Sequence, residues 1–143
     1  ETPPTIDSRA TIGFSNLSEV VVGGRSNEVE DWQTYATTGN RVAVGNWYYV
    51  VGVIDYAGDL IKIYINGAFE GEGTVNFSQS TTPATTATNS AIGAQDDGSD
   101  DFFNGTIDEV RISDLARTPS WIAAQYLSHT DNFITFGEEE NSP

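Results

Sequence analysis

Two places in this 143-residue chain gather oxygen-bearing side chains, and both could bind a hard cation. The first is Gln95-Asp96-Asp97-Gly98-Ser99-Asp100-Asp101, with four carboxylates around one glycine. Calcium takes about six to eight oxygens in flexible geometry, and such a turn offers several of them. The run does not follow EF-hand spacing, and the same residues also suit a plain solvated acidic turn. The second place is Asp108. In a strand over residues 102–113 it shares a face with Val110 and Ile112, the face expected to be buried. A buried carboxylate without partners costs several kcal/mol, roughly 2–7 for a polar group alone. Asp108 therefore needs either backbone N–H donors from a neighbouring loop or a calcium ion. Glu109 and Arg111 fall on the opposite face, where an exposed ion pair is worth little.

Aromatic residues offer a different chemistry. Trp32 and Tyr35 sit among polar neighbours. A solvent-facing ring presents a flat apolar surface to the C–H groups of a sugar, while the same ring turned inward packs the core or its rim. Trp121 is expected to pack a helix against a sheet. His129 is the one histidine and lies in a Ser/Thr/Asp/Asn-rich connector. No G-x-S-x-G elbow accompanies it, and no glycine-rich phosphate loop follows a strand and opens a helix. Glu28 and Glu30 are two apart on a polar stretch, as solvated pairs commonly are. No catalytic residue and no organic cofactor are assigned.

Composition narrows the setting. Six Lys+Arg against 21 Asp+Glu give a formal charge of −15, which repels nucleic acid and anionic membranes. Cations, salt or a neutral polymer such as a polysaccharide remain compatible. No apolar run approaches the ~20 residues of a membrane helix, so no membrane insertion is expected. Cysteine is absent, which removes disulfides and thiolate chemistry together. Methionine is also absent and the first residue is Glu1, as in a chain processed or excised from a longer precursor. With Lys62 the only lysine, the acidic Thr/Ser/Asn/Gly-rich surface looks extracellular. Asn16, Asn76 and Asn104 each open an N-glycosylation triplet.

The elements that must position these groups are mostly strands. Period-two patterning marks residues 18–23, 32–37, 46–55, 60–65, 72–78, 91–94, 102–113 and 133–136. The strand over 46–55 is apolar on both faces and reads as central. Asn66-Gly67 signals a type I′ hairpin turn. Thr118 followed by Pro119 starts the one helix. Residues 80–90 form a Thr-rich loop, residues 1–9 an extended arm and 138–143 an acidic tail. Many short strands separated by turns make a sandwich or barrel, as a single domain over 1–143.

Three blocks carry a resemblance. They are Gly45-Asn46-Trp47-Tyr48-Tyr49-Val50-Val51-Gly52-Val53, then Ile63-Tyr64-Ile65-Asn66-Gly67, then Ala91-Ile92-Gly93-Ala94 leading to Phe103-Asn104-Gly105-Thr106-Ile107-Asp108-Glu109-Val110-Arg111-Ile112. Their order and spacing resemble the laminin-G-like branch of the concanavalin A-like lectin/glucanase superfamily, over about residues 45–139. The resemblance implies an all-β jelly roll of two antiparallel sheets, outside the cell and usually non-catalytic, with sugar binding or adhesion as its common activity. It implies structural calcium, for which Asp108, Asp100 and Asp101 are the candidate ligands. It makes Trp47 a core residue. Trp32, Tyr35, Asp96 and Asp97 are the candidate glycan contacts. The superfamily's glucanases carry carboxylates at i, i+2 and i+4, whereas position 32 here is Trp after Glu28 and Glu30. The opening block of the family, with two or more strands, has only residues 6–14 in its place. The sandwich is then either trimmed or completed by strands of a neighbouring protein chain at an open sheet edge.

Overall fold

The computed structural model describes residues 10–15, 17–26, 32–80, 90–94, 98, 101–131 and 134. Among them are six strands and one helix: β1 (Ala10–Phe14), β2 (Val20–Gly24), β3 (Gln33–Ala36), β4 (Val50–Asp55), β5 (Leu60–Ile65), β6 (Ala68–Thr74) and α1 (Pro119–His129). The strands make two antiparallel sheets, ordered β1-β2-β3 and β4-β5-β6. Across the core, β2 faces β4 and β5, while β3 faces β5 and β6. The result is an all-β sandwich with one helix beside β6.

Side-chain alternation decides which way each strand faces. Ile61, Ile63 and Ile65 point into the core and are buried, as are Val20 and Val22 opposite them. Each fully buried branched side chain contributes about 1.5–3 kcal/mol of apolar burial. Phe77 closes one end of the core, its ring 4.6 Å from that of Tyr56. Asp59 fixes that end: its Oδ1 accepts the Phe77 N–H at 2.9 Å, and its carbonyl accepts the Val75 N–H at 2.9 Å.

Glycines in the second sheet make room for side chains of the first. Val22 sits over Gly52, where a Cβ would come within 2.7 Å of Val22 Cγ2. Tyr35 lies across Gly71 and Gly73 in the same way. The β5–β6 turn is the one the sequence signals, with φ of 51° at Asn66 and 77° at Gly67. A bulge follows at Ile63/Tyr64, where Glu70 is the extra residue of β6. Glu70 pairs with Arg41 at 3.2 Å.

β1 extends past β4. Ile12 and Phe14 pair with Val22 and Val20 and share their inward face, yet they are 50% and 45% exposed. Among the described residues, β4 is the outermost strand of its sheet. It is not the central strand that its two apolar faces suggested; Val51 and Val53 are half-buried there.

The largest departure from expectation is residues 102–113, which form no strand and are exposed. The cause is local. Asp108 Oδ1 accepts the Glu109 N–H at 2.8 Å, and Glu109 adopts a left-handed φ of 54°. That conformation interrupts an extended strand. Asp108 is consequently exposed and not on a buried face. Residues 91–94 form no strand, the chain bending over 92–94, with Gly93 at φ 81° and its carbonyl accepting the Phe103 N–H at 2.8 Å. Trp47 is 69% exposed and is not a core residue. The expected strand over 133–136, apart from Ile134, lies outside the described residues, as do Glu28, Glu30, the arm 1–9 and the tail 138–143.

Candidate functional site

Of the residues singled out from the sequence, Trp32 and Tyr35 are separated by the sheet that carries them. Tyr35 faces inward onto Gly71 and Gly73. Trp32 lies on the outer face, over Gly23, beside Thr34. Asp101 is exposed, with φ 49°, and Asp108 is engaged with the next backbone N–H. Asp96, Asp97 and Asp100 lie outside the described residues. Among the described residues, no three His, Asp or Glu side chains gather closely enough to hold a metal.

The structure instead assembles an aromatic and polar cluster where α1 meets the start of β4. Helix α1 forms because Thr118 caps it and Pro119 occupies its first turn; Thr118 Oγ1 accepts the Trp121 N–H at 3.2 Å. Its apolar anchor is Ile122, which is fully buried. Trp121 lies on the exposed side, with the Arg117 guanidinium 4.9 Å above its ring. The helix rests on the hairpin tip. A Cβ on Gly67 would sit 3.0 Å from Tyr126 Cβ and 3.2 Å from Ala123 Cα. His129 is the last residue of α1 and not part of a connector.

Tyr49, the residue before β4, meets this helix. Its carbonyl accepts the Asn66 N–H at 2.8 Å, and its own N–H donates to Asn66 Oδ1 at 3.0 Å. Held so, the Tyr49 ring lies 6.2 Å from that of Tyr126 and 5.4 Å from that of His129. Burial pushes the Tyr49 hydroxyl above its ordinary range, and the charge of Arg111 pulls partly back. Arg111 links two groups. It donates to Gln125 Oε1 at 2.6 Å and to Glu109 Oε2 at 2.8 Å, tying the irregular 102–113 segment to the helix. His129 Nε2 is 4.0 Å from the same Glu109 oxygen.

Trp47 stands two residues before Tyr49 on a loop with its own supports. The Ala43 N–H donates to the Tyr48 hydroxyl at 3.0 Å, and Asn46 Nδ2 donates to the Val44 carbonyl at 3.4 Å. This region offers exposed indole surface, tyrosine and imidazole rings, and planar groups able to donate or accept hydrogen bonds. Such a set suits a polyhydroxylated ligand. The reading of Trp47 as core hid this region in the sequence. The alternation of Trp47 with Tyr49, and Tyr126 three residues before His129 on the helix, were the available signals.

Comparison with known proteins agrees with the architecture. Residues 7–123 match the Laminin_G_3 family model, described as Concanavalin A-like lectin/glucanases superfamily. No curated protein matches the chain. A solved structure, that of an S-layer domain-containing protein (residues 221–444) from Clostridium thermocellum, is 22% identical with a TM-score of 0.45. The match covers 85% of this chain and 65% of that one, so this chain spans a little under two thirds of its length. With the family model spanning most of its length and a two-sheet sandwich beneath it, the chain belongs to the laminin-G-like branch of the concanavalin A-like lectin/glucanase superfamily.

Proposed function

We propose that this chain is a non-catalytic, extracellular module that binds a neutral polysaccharide through the region around Trp47, Tyr49 and the C-terminal half of α1. The observation that carries this reading is a tyrosine–histidine cluster fringed by Glu109, Arg111 and Gln125, with the 69% exposed Trp47 two residues before Tyr49 in the chain. An indole face stacks on the axial C–H groups of a pyranose, and the planar polar groups take its hydroxyls. Family membership supports a lectin-like role, and the charge of −15 disfavours anionic polymers. The test is calorimetry with cellohexaose, xylohexaose and mannohexaose. Trp47→Ala should weaken binding about fivefold or more, taking the ~1–3 kcal/mol of a base stacked on an aromatic side chain as the scale. Loss in Trp32→Ala with Trp47→Ala unaffected would move the site to the outer face of the first sheet.

Structural calcium remains part of the proposal, with the 95–101 run as its most oxygen-rich stretch. Its test is thermal melting in calcium and in EDTA. A second reading has its own observation: on the inward side of β1, Ile12 is 50% exposed and Phe14, although its ring lies 5.5 Å from that of Phe103, is 45% exposed. In that reading the chain is a subunit of a surface assembly, completed by a strand from a neighbour. Light scattering on a size column separates the two. A monomer at all concentrations sinks the assembly reading, and a polymer favours it.

A further inference from the structure

His129 Nδ1 lies 2.7 Å from the Gln125 carbonyl oxygen. A carbonyl oxygen only accepts, so Nδ1 carries the hydrogen. The neutral ring then presents Nε2 as a bare acceptor. That nitrogen is 4.0 Å from Glu109 Oε2, a second acceptor, with the Tyr49 ring alongside. Two lone-pair groups facing each other across this gap leave a place for donors from outside. Vicinal hydroxyls of a sugar ring supply two O–H groups side by side, one for each acceptor.

We propose that His129 and Glu109 form the hydroxyl-accepting part of the glycan site and that a proton on His129 closes it. The proposal rests on the glycan reading above and adds its regulation. When His129 takes up a proton, Nε2 becomes a donor, and the nearest acceptor across the gap is the Glu109 carboxylate. Moving from 4.0 Å to a charge-assisted hydrogen bond takes about 1 Å, which two partly exposed side chains can supply. Both acceptors are then consumed by each other. Protons and sugar therefore compete for the same atoms, and by linkage each weakens the other.

Among the described residues, the other charged and titratable groups in this cluster are Arg111, Tyr49 and Tyr126. Arg111 keeps its charge throughout and holds Glu109 Oε2 at 2.8 Å, so the carboxylate stays in place in either state. Burial holds the Tyr49 hydroxyl above its ordinary range, so Tyr49 keeps its proton between about pH 5 and pH 8, the window in which imidazole titrates.

The test has two arms. In the first, calorimetry with cellohexaose, xylohexaose and mannohexaose is run at about pH 8 and about pH 5. The expected result is a loss of affinity of about fivefold or more on acidification, absent in His129→Gln. Equal affinity at the two pH values, or the same loss in His129→Gln, overturns the proposal and leaves the glycan reading standing. In the second arm, the His129 ring signal is followed by proton NMR, where a single histidine makes assignment direct. At about pH 5 the ring signal should differ between wild type and Glu109→Gln by more than it does at about pH 8, because the closed pair forms only with a protonated ring. An equal difference at the two pH values overturns the closure. If none of the three sugars binds at either pH, the glycan reading fails, and the NMR arm alone decides whether His129 and Glu109 close on each other.

Discussion

A Cβ placed on Gly52 would lie 2.7 Å from Val22 Cγ2 and 2.9 Å from Val22 Cγ1, well inside contact distance. Gly52→Ala must therefore push the sheets apart or twist Val22, and overpacking of this kind costs about 1–3 kcal/mol. Chemical denaturation should show the loss, with a midpoint no lower than wild type counting against this packing. Tyr49 makes a prediction in alkali. Its raised hydroxyl means that the folded state resists deprotonation more than the unfolded chain does. The stability from this source is complete below about pH 10 and is lost as the pH climbs through the raised folded value. Tyr49→Phe should consequently lose less melting temperature than wild type above about pH 10; parallel profiles would exclude the effect. Single residues also show where sequence reading stops. Nothing local distinguishes an exposed Trp47 from a buried one, because the neighbouring Tyr48 and Val50 do pack against the core. Which side of the loop meets the second layer is settled by distant residues.

Elements differ in how much of their own fate they encode. The β5–β6 hairpin is written into Asn66-Gly67, where both residues take positive φ as the turn type demands. Helix α1 is written into Thr118 and Pro119, and the cap bond to the Trp121 N–H forms as expected. Thr118→Ala should therefore cost about 1 kcal/mol, read as a lower midpoint in denaturant. Gly67→Ala tests both elements together. It strains a residue at φ 77° and thrusts a methyl group at Tyr126 and Ala123, so a loss of about 1–2 kcal/mol from the backbone alone is expected. A variant as stable as wild type would mean that the helix does not rest on the hairpin tip. The 102–113 segment was not legible in this way. Its apolar residues alternate well enough for a strand, but a strand needs a partner as well as a pattern. Asp108 supplies a local alternative by taking the next N–H, and Glu109 turns aside. The pairing of Arg111 with Gln125, 14 residues away in sequence, was likewise invisible before α1 was placed.

At the scale of the whole molecule, charge is the dominant physical fact. With 21 acidic residues against six basic ones, the folded chain repels itself, and added salt should raise its melting temperature by screening. Sodium chloride and calcium chloride at matched ionic strength separate screening from coordination. A further rise in calcium alone would mark a bound ion, while identical curves would remove calcium from the proposal. The two-sheet architecture was the most readable feature at this scale, because it follows from many short alternating segments and not from any one of them. The exposure of Ile12 and Phe14 was not readable, since it depends on how one sheet seats on the other. The seating has two separate points, Val22 over Gly52 and Tyr35 across Gly71 and Gly73. Two dowels resist rotation as well as sliding between a pair of plates, so shear of one sheet over the other would have to unseat both points at once. Under the proposed glycan reading, a sugar chain would then be met by a surface already in shape, with side chains at its edge left to adjust.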